Sequence, residues 1–260
     1  MSGPVALHAR WDRAEGRSRG VVVLLGSLGS DTTMWDPQVP VLRRHLDVLR
    51  IDHRGHGRSP AVSGPYSLDD LSGDVLAVLD REGVAEASLV GLSIGGMVAM
   101  STALLAPKRL PRLVLLCSSA SLGPASAWEA RAARVLAEGP GAVAADVVSR
   151  WFSPAYAAEH PWVGQRMRDM IAATDRDGYS GCCAAIARMD LLPRLADLRS
   201  RVLAVAGEQD RTTPPEHLRA VADRIPGARF TTVPGAHLAS WEDADLVNSL
   251  ILDHLGVVVD

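Results

Sequence analysis

Six short apolar runs, most of them closed by a turn residue and separated by helical patterns, constrain the fold of this chain more than any other feature. Val21 to Leu25 stops at Gly26, Val48 to Ile51 stops at Asp52, and Ser88 to Val90 stops at Gly91. Leu113 to Cys117 follows, then Val202 to Ala206 before Gly207, and Phe230 to Val233 before Pro234 and Gly235. Runs this short and mostly apolar, interrupted only by Arg50, Ser88, Thr231 and Thr232, read as strands buried on both faces, as in a parallel sheet. Between them, Leu68 to Arg81 places Leu68, Leu71, Val75, Val78 and Leu79 at helical spacing. Ser67 is its expected N-cap, with Asp70 at the capping-box position. Ile94 to Ala106 is a second helix, stopped by Pro107. Strands alternating with helices give an α/β fold with a mostly parallel central sheet flanked by helices.

The alternation fails once. From about Ser121 to Leu198 the sequence carries helical patterns over Ala127–Glu138, Ala142–Trp151, Val163–Ala173 and Tyr179–Asp190, and no strand. We read residues 121–198 as a helical cap (lid) inserted into a core domain made of residues 1–120 and 199–260. The core must be filled chiefly by Ala, Val and Leu, because 47% of the residues are hydrophobic but only 4% are aromatic.

The formal net charge of −3 gives no reason to expect nucleic acid or an anionic membrane surface as a partner. No run of 18 apolar residues suggests a membrane span. Met1 to Trp11 lacks an apolar core followed by a cleavage site, so secretion is not expected. Three cysteines, Cys117, Cys182 and Cys183, are too few and too irregular for a disulfide framework or a metal site. They read as buried thiols in a cytoplasmic protein, and we expect neither a metal nor an organic cofactor.

The sharpest local motif is Gly91-Leu92-Ser93-Ile94-Gly95-Gly96, a G-x-S-x-G element between an expected strand and an expected helix. In that context it reads as a nucleophile elbow, a tight turn that projects the serine hydroxyl above the sheet. The amide of Ile94, at the start of the helix, would face a developing oxyanion. An ordinary glycine-rich turn with a capping serine is the plainer alternative. A nucleophilic serine needs a base, and the base needs an orienting acid. Asp210 follows the strand Val202–Ala206, and His237 follows the strand Phe230–Val233. Glu208 competes as the acid, but Asp210 lies further past its strand and is better placed to reach the histidine. Taken singly, each could be a solvated loop residue; together, in the order Ser93, Asp210, His237, they read as a catalytic triad. The loop Gly26-Ser27-Leu28-Gly29-Ser30 should supply the second oxyanion donor, the amide of Leu28. The segment Asp52–Ser59, with His53 and His56, reads as a loop packed under the site rather than as a metal centre.

The elbow, the acid turn, the histidine turn and the Asp52–Ser59 loop resemble the α/β-hydrolase superfamily across nearly the whole chain. Two segments are more specific. Ser27 to Gln38, and in the cap Trp151-Phe152-Ser153-Pro154 with Asp177 to Leu191, are similar to 3-oxoadipate enol-lactonases. Caps set substrate choice, whereas elbows are shared by many activities. The resemblance implies an α/β-hydrolase fold and Ser-His-Asp opening of 3-oxoadipate enol-lactone, a five-membered enol-lactone bearing an acetate arm. Related hydrolases with this cap act on other esters, and a perhydrolase or a ligand receptor of the same fold are further alternatives. Ser93 argues against dehalogenases and epoxide hydrolases, which use an aspartate nucleophile. Some family members carry a fused decarboxylase domain, which is not expected here. A small lactone or ester substrate bearing a carboxylate needs a cation or donors, and Arg131, Arg134 and Arg188 of the cap are the candidates. Trp128 and Trp151 could line the pocket, as could Met97 and Leu122.

Overall fold

In a computed structural model describing residues 3–257, the expected strands form one sheet. The first two and last three positions of the expected core lie outside the described residues. The strands are β1 (Ala9–Asp12), β2 (Val21–Leu25), β3 (Asp47–Ile51), β4 (Ser88–Leu92), β5 (Arg112–Leu116), β6 (Arg201–Gly207) and β7 (Arg229–Val233). They lie in the order β1-β3-β2-β4-β5-β6-β7. All neighbours are parallel except β1, which pairs antiparallel with β3 at the edge. The fold class read from the sequence is the one observed. The strand β1 was not foreseen. It is four residues long and only partly buried, so it carries no apolar run; its pairing with β3 is a tertiary event.

The helices are α1 (Val39–Leu42), α2 (Leu68–Arg81), α3 (Ile94–Leu105), α4 (Ala125–Glu138), α5 (Gly141–Val148), α6 (Pro154–Glu159), α7 (Pro161–Ala172), α8 (Arg176–Arg188), α9 (Pro215–Ala222), α10 (Ala239–Glu242) and α11 (Ala244–Leu255). Ser67 and Asp70 close the capping box on α2 in both directions, satisfying two of the amides that a helix start leaves open. Residues Leu68, Leu71, Val75, Val78 and Leu79 of α2 are all buried. The helix α3 is buried from Ile94 to Ala103, as expected of a helix apolar on every side.

Between β5 and β6 stand α4 to α8 and a short 3₁₀ segment, Leu192–Asp197. Here the boundaries differ from the sequence reading. The helix expected over Ala142–Trp151 ends at Val148, where Arg150 and Trp151 turn in short bonds to Val147 and Val148. The helix α6 was not anticipated, although Ser153-Pro154 marks its start: Ser153 caps Tyr156, and Pro154 sits at the first helical position. The strand β5 ends at Leu116 rather than Cys117, because Cys117 turns into left-handed backbone (φ 42°).

The helix α8 approaches the core closely. A Cβ on Gly178 would lie 2.5 Å from the Cα of Gly55, and a Cβ on Gly181 would lie 2.4 Å from the ring of Tyr66. The amide of Asp175 donates to the carbonyl of Gly55 at 3.0 Å. The 52–59 loop beneath it is tied from within. Asp52 accepts bonds from the amides of Thr32 (2.7 Å) and Arg58 (3.0 Å). His53 and His56 are fully buried, which pushes their pKa values down to about 3 and about 4. Both are therefore neutral at ordinary pH. Among the described residues, no helix is long and apolar enough to cross a membrane.

Candidate active site

The sheet order fixes where a site can form. From β2 the chain steps outward to β3, then crosses back to place β4 on the other side of β2. Loops leaving β2 and β4 therefore diverge and open a crevice at the carboxyl ends of those strands, where ligands of open α/β sheets bind. Leu28 follows β2, and Ser93 follows β4.

Ser93 has φ 56° and ψ −118°, a left-handed conformation that costs a non-glycine residue on the order of 1–3 kcal/mol. Two glycines make the turn possible. A Cβ on Gly91 would stand 2.3 Å from the carbonyl oxygen of Gly95, and one on Gly95 would stand 2.1 Å from that of Leu25. The backbone around Ser93 is pinned as well: its amide donates to Leu116 at 2.9 Å, and the Ser118 hydroxyl donates to its carbonyl at 2.7 Å.

The structure brings Asp210 and His237 together: His237 Nδ1 lies 2.8 Å from Asp210 Oδ2. Both are buried. Asp210 also accepts from the amides of Thr212 (2.7 Å) and Thr213 (3.0 Å) and from the Thr213 hydroxyl (2.8 Å). Burial alone would raise the Asp210 pKa, but His237 and these bonds outweigh it and hold the carboxyl below its ordinary value. The competing acid, Glu208, is exposed and takes a bond from Thr232. Thr213 was not singled out from the sequence. The run Asp210-Arg211-Thr212-Thr213 was the available signal, since aspartates bond amides two and three residues on. A buried thiol, Cys117, donates to the carbonyl of Ala236 beside the histidine at 3.7 Å.

Ser93 and His237 open into one narrow cavity, whose walls include Ser27, Leu28, Met97, Leu122 and Thr212 from the core. The helical segment contributes Trp128, Arg131, Val147, Arg150, Trp151, Tyr179 and Ile186. Leu28 and Ile94 are buried, and neither amide makes a hydrogen bond among the described residues. Buried amides are seldom left without a partner, so two such donors at the ends of β2 and β4 are available to an anion. Of the three arginines singled out from the sequence, only Arg131 lines the cavity. Arg134 is exposed on α4 and pairs with Glu138 at 3.3 Å. Arg188 is exposed at the end of α8 and bonds the Ala184 carbonyl of its own helix. Arg150 and Tyr179 line the cavity and were not proposed from the sequence.

The histidine turn is fastened to α6. Glu242 accepts from the amide of Ala236 (2.7 Å), from the amide of Ser153 (3.0 Å) and from the Ser153 hydroxyl. The amide of Leu238 donates to the carbonyl of Trp151 at 2.8 Å.

A strand-borne elbow, an acid–histidine pair on later loops and helices over the crevice define a class of protein. The chain belongs to the alpha/beta hydrolase fold family, whose model matches residues 20–244. Within it, 3-oxoadipate enol-lactonase 2 of Acinetobacter baylyi is 30% identical over 233 residues, which cover 90% of this chain and 87% of that protein. The crystal structure of the enol-lactonase from Burkholderia xenovorans LB400 matches with a TM-score of 0.93 at 37% identity, covering 96% of both chains. A hydrolase from Pseudomonas aeruginosa PA01 matches with a TM-score of 0.92 at 41% identity, over 96% of this chain and 94% of that one. The kinship with enol-lactonases expected from the Ser27–Gln38 and cap segments is thus observed.

Proposed function

We propose that the chain is a carboxylic ester hydrolase that opens 3-oxoadipate enol-lactone to 3-oxoadipate in the cytoplasm, with Ser93 as nucleophile, His237 as base and Asp210 as orienting acid. One observation carries the reading: a serine on a strained elbow and a histidine held by a buried carboxylate at 2.8 Å open into the same narrow cavity. The substrate class comes from the relatives, two of which are named as enol-lactonases.

Ser93 attacks the lactone carbonyl, and its proton passes to His237. The amides of Leu28 and Ile94 bond the tetrahedral oxyanion; losing one such donor typically costs about 10²–10³ in kcat. Collapse breaks the acyl–oxygen bond of the ring. The departing enol oxygen takes the proton from His237, and the enol tautomerises to the ketone. A water then gives a proton to His237 and attacks the acyl carbon, and Ser93 regains its proton as the acid leaves. Asp210 keeps Nδ1 of His237 as the donor to itself and stabilises the imidazolium formed in each half-reaction.

The test is hydrolysis of 3-oxoadipate enol-lactone beside p-nitrophenyl acetate, in wild type and Ser93→Ala. We expect preference for the lactone and a loss of about 10³-fold or more in the variant. Ser93-dependent cleavage of the simple ester alone would keep the mechanism and remove the lactone as substrate.

A further inference from the structure

We infer that the arginines at the amino ends of the last three strands form a receptor for an oligophosphate chain, at the opposite end of the sheet from Ser93. The receptor is separate from the proposed reaction and does not depend on it.

Strands β5, β6 and β7 each begin with an arginine: Arg112, Arg201 and Arg229. These strands are parallel neighbours, so the three residues gather at one end of the sheet. Arg112 and Arg201 stand directly opposite each other in the register, a placement in which like charges repel. Arg199, two residues ahead of β6, adds a fourth. All four line one groove of about 610 Å³, with Asp253 and His254 among its other walls. Asp253 is the one acid among the described residues of those walls, and it pairs with Arg229 at 3.0 Å. Four arginines against one aspartate leave a local excess of three positive charges, in a chain whose net charge is −3. Arg199 and Arg201 are exposed, and neither side chain has a hydrogen bond or an ion pair among the described residues.

Buried His254 fixes the other two arginines. Its Nε2 donates to the carbonyl of Arg201 at 3.1 Å, which leaves Nδ1 as an acceptor 3.5 Å from Nη2 of Arg229. Its own carbonyl accepts from Nη1 of Arg112 at 2.7 Å. Burial pushes the His254 pKa down, and the charges of Arg229 and Arg112 act in the same direction. Side chains already held in place lose less freedom when a ligand binds. Guanidinium forks match the paired oxygens of a phosphate. A lone carboxylate would answer only one of the three excess charges. Linked phosphates carry several along a chain that can follow strand ends spaced about 4.8 Å apart. Repulsion between neighbouring strand ends works against the fold, and proteins keep such conflicts chiefly where a site gains from them.

The test is calorimetric titration of tripolyphosphate, orthophosphate and citrate into the full chain at a fixed ionic strength of about 0.15 M, where distant surface charges are screened. The variants are Arg199→Gln, Arg201→Gln, the double variant, and Arg44→Gln, which is exposed ahead of β3 and outside the groove. Arg199 and Arg201 hold no other described side chain, so thermal midpoints without ligand should stay at the wild-type value. We expect one tripolyphosphate per chain with a Kd below about 1 mM, bound about tenfold more tightly than orthophosphate or citrate. Each single change should weaken it about fivefold and the double variant more than either, as charge-assisted bonds are lost; Arg44→Gln should match wild type. ATP separates the sources of the phosphate chain. Tighter binding of ATP than of tripolyphosphate assigns the groove to a nucleotide, equal or weaker binding assigns it to the free chain, and both support the receptor. No binding, an equal response to citrate, or unchanged affinity in the double variant would overturn the inference. Tighter capture of a short DNA duplex than of tripolyphosphate would overturn it in favour of nucleic acid.

Discussion

Two helices wall the cavity from above, and they are held in opposite ways. The helix α8 lies backbone against backbone on the 52–66 loop, with Gly178 over Gly55 and Gly181 over Tyr66. It buries Tyr179, Ser180, Cys182, Cys183, Ala185 and Ile186. The helix α4 buries only Val135, while Trp128 and Arg131 are half-buried. One wall is thus welded to the core and the other rests mainly on its neighbour. Packed interiors resist displacement because each small shift forfeits many contacts, whereas a helix with a single buried side chain has little to lose. The helix α8 thus gives its wall a fixed shape, and α4 is the wall freer to adapt.

The contrast can be broken from the core side by acid. His53 and His56 lie in the loop under α8 with pKa values of about 3 and about 4. Unfolded, each titrates near 6.5. The unfolded state therefore binds more protons than the folded state as pH drops below about 6.5, and stability falls with it. From pH 7 to pH 5 this amounts to about 2 kcal/mol for each histidine. Burial raises the pKa of Asp52 despite its hydrogen bonds, which works in the opposite direction. Urea midpoints at the two pH values, in wild type and His56→Gln, isolate the histidine contribution. Equal slopes in the two proteins would mean that His56 is not held neutral.

An effect of similar size should follow from pushing α8 off its seat. Gly178→Ala sets a methyl against the backbone of Gly55, which has no flexible atom to move aside. Overpacking of this kind costs about 1–3 kcal/mol. Because Tyr179 is the next residue, the cavity should deform with it, and KM for the lactone should rise. Chemical denaturation together with steady-state kinetics checks both, and an unperturbed KM would show that the α8 wall is more pliable than its contacts imply. The smallest effect sharpens the other side. Arg134→Ala removes an exposed pair worth about 0–1 kcal/mol and should leave KM unchanged, in contrast with Arg131 one turn away.

How much of this was legible in the sequence depends on the range of the interactions. Parallel strands, α2 with its capping box and the Ser93 elbow follow from neighbouring residues, and the sequence displays them directly. The strand β1 and the glycine contact between α8 and the 52–59 loop exist only through residues more than 35 and 120 positions apart, so no local pattern announces them. The arginines illustrate the limit within one helix. Arg131 falls on the inward face of α4 with Trp128, Ala132 and Val135, and Arg134 falls off it; the outlying apolar residues Leu136, Ala127 and Ala130 blur that short stripe in the sequence. Tyr179 lay within the string similar to enol-lactonases, but its place on the cavity wall beside Arg131 is a property of three-dimensional surroundings. Thr213 could have been inferred from its spacing to Asp210.

Glu242 gives the two halves of the molecule a shared joint. With one carboxylate it holds the turn that carries His237 and the start of α6. A motion that lifts α6 from the core must break those bonds and loosen the loop that carries His237. Lifting α6 and shifting the loop that carries His237 are then a single movement. The position of His237 is thereby coupled to that of a helix that does not itself line the cavity.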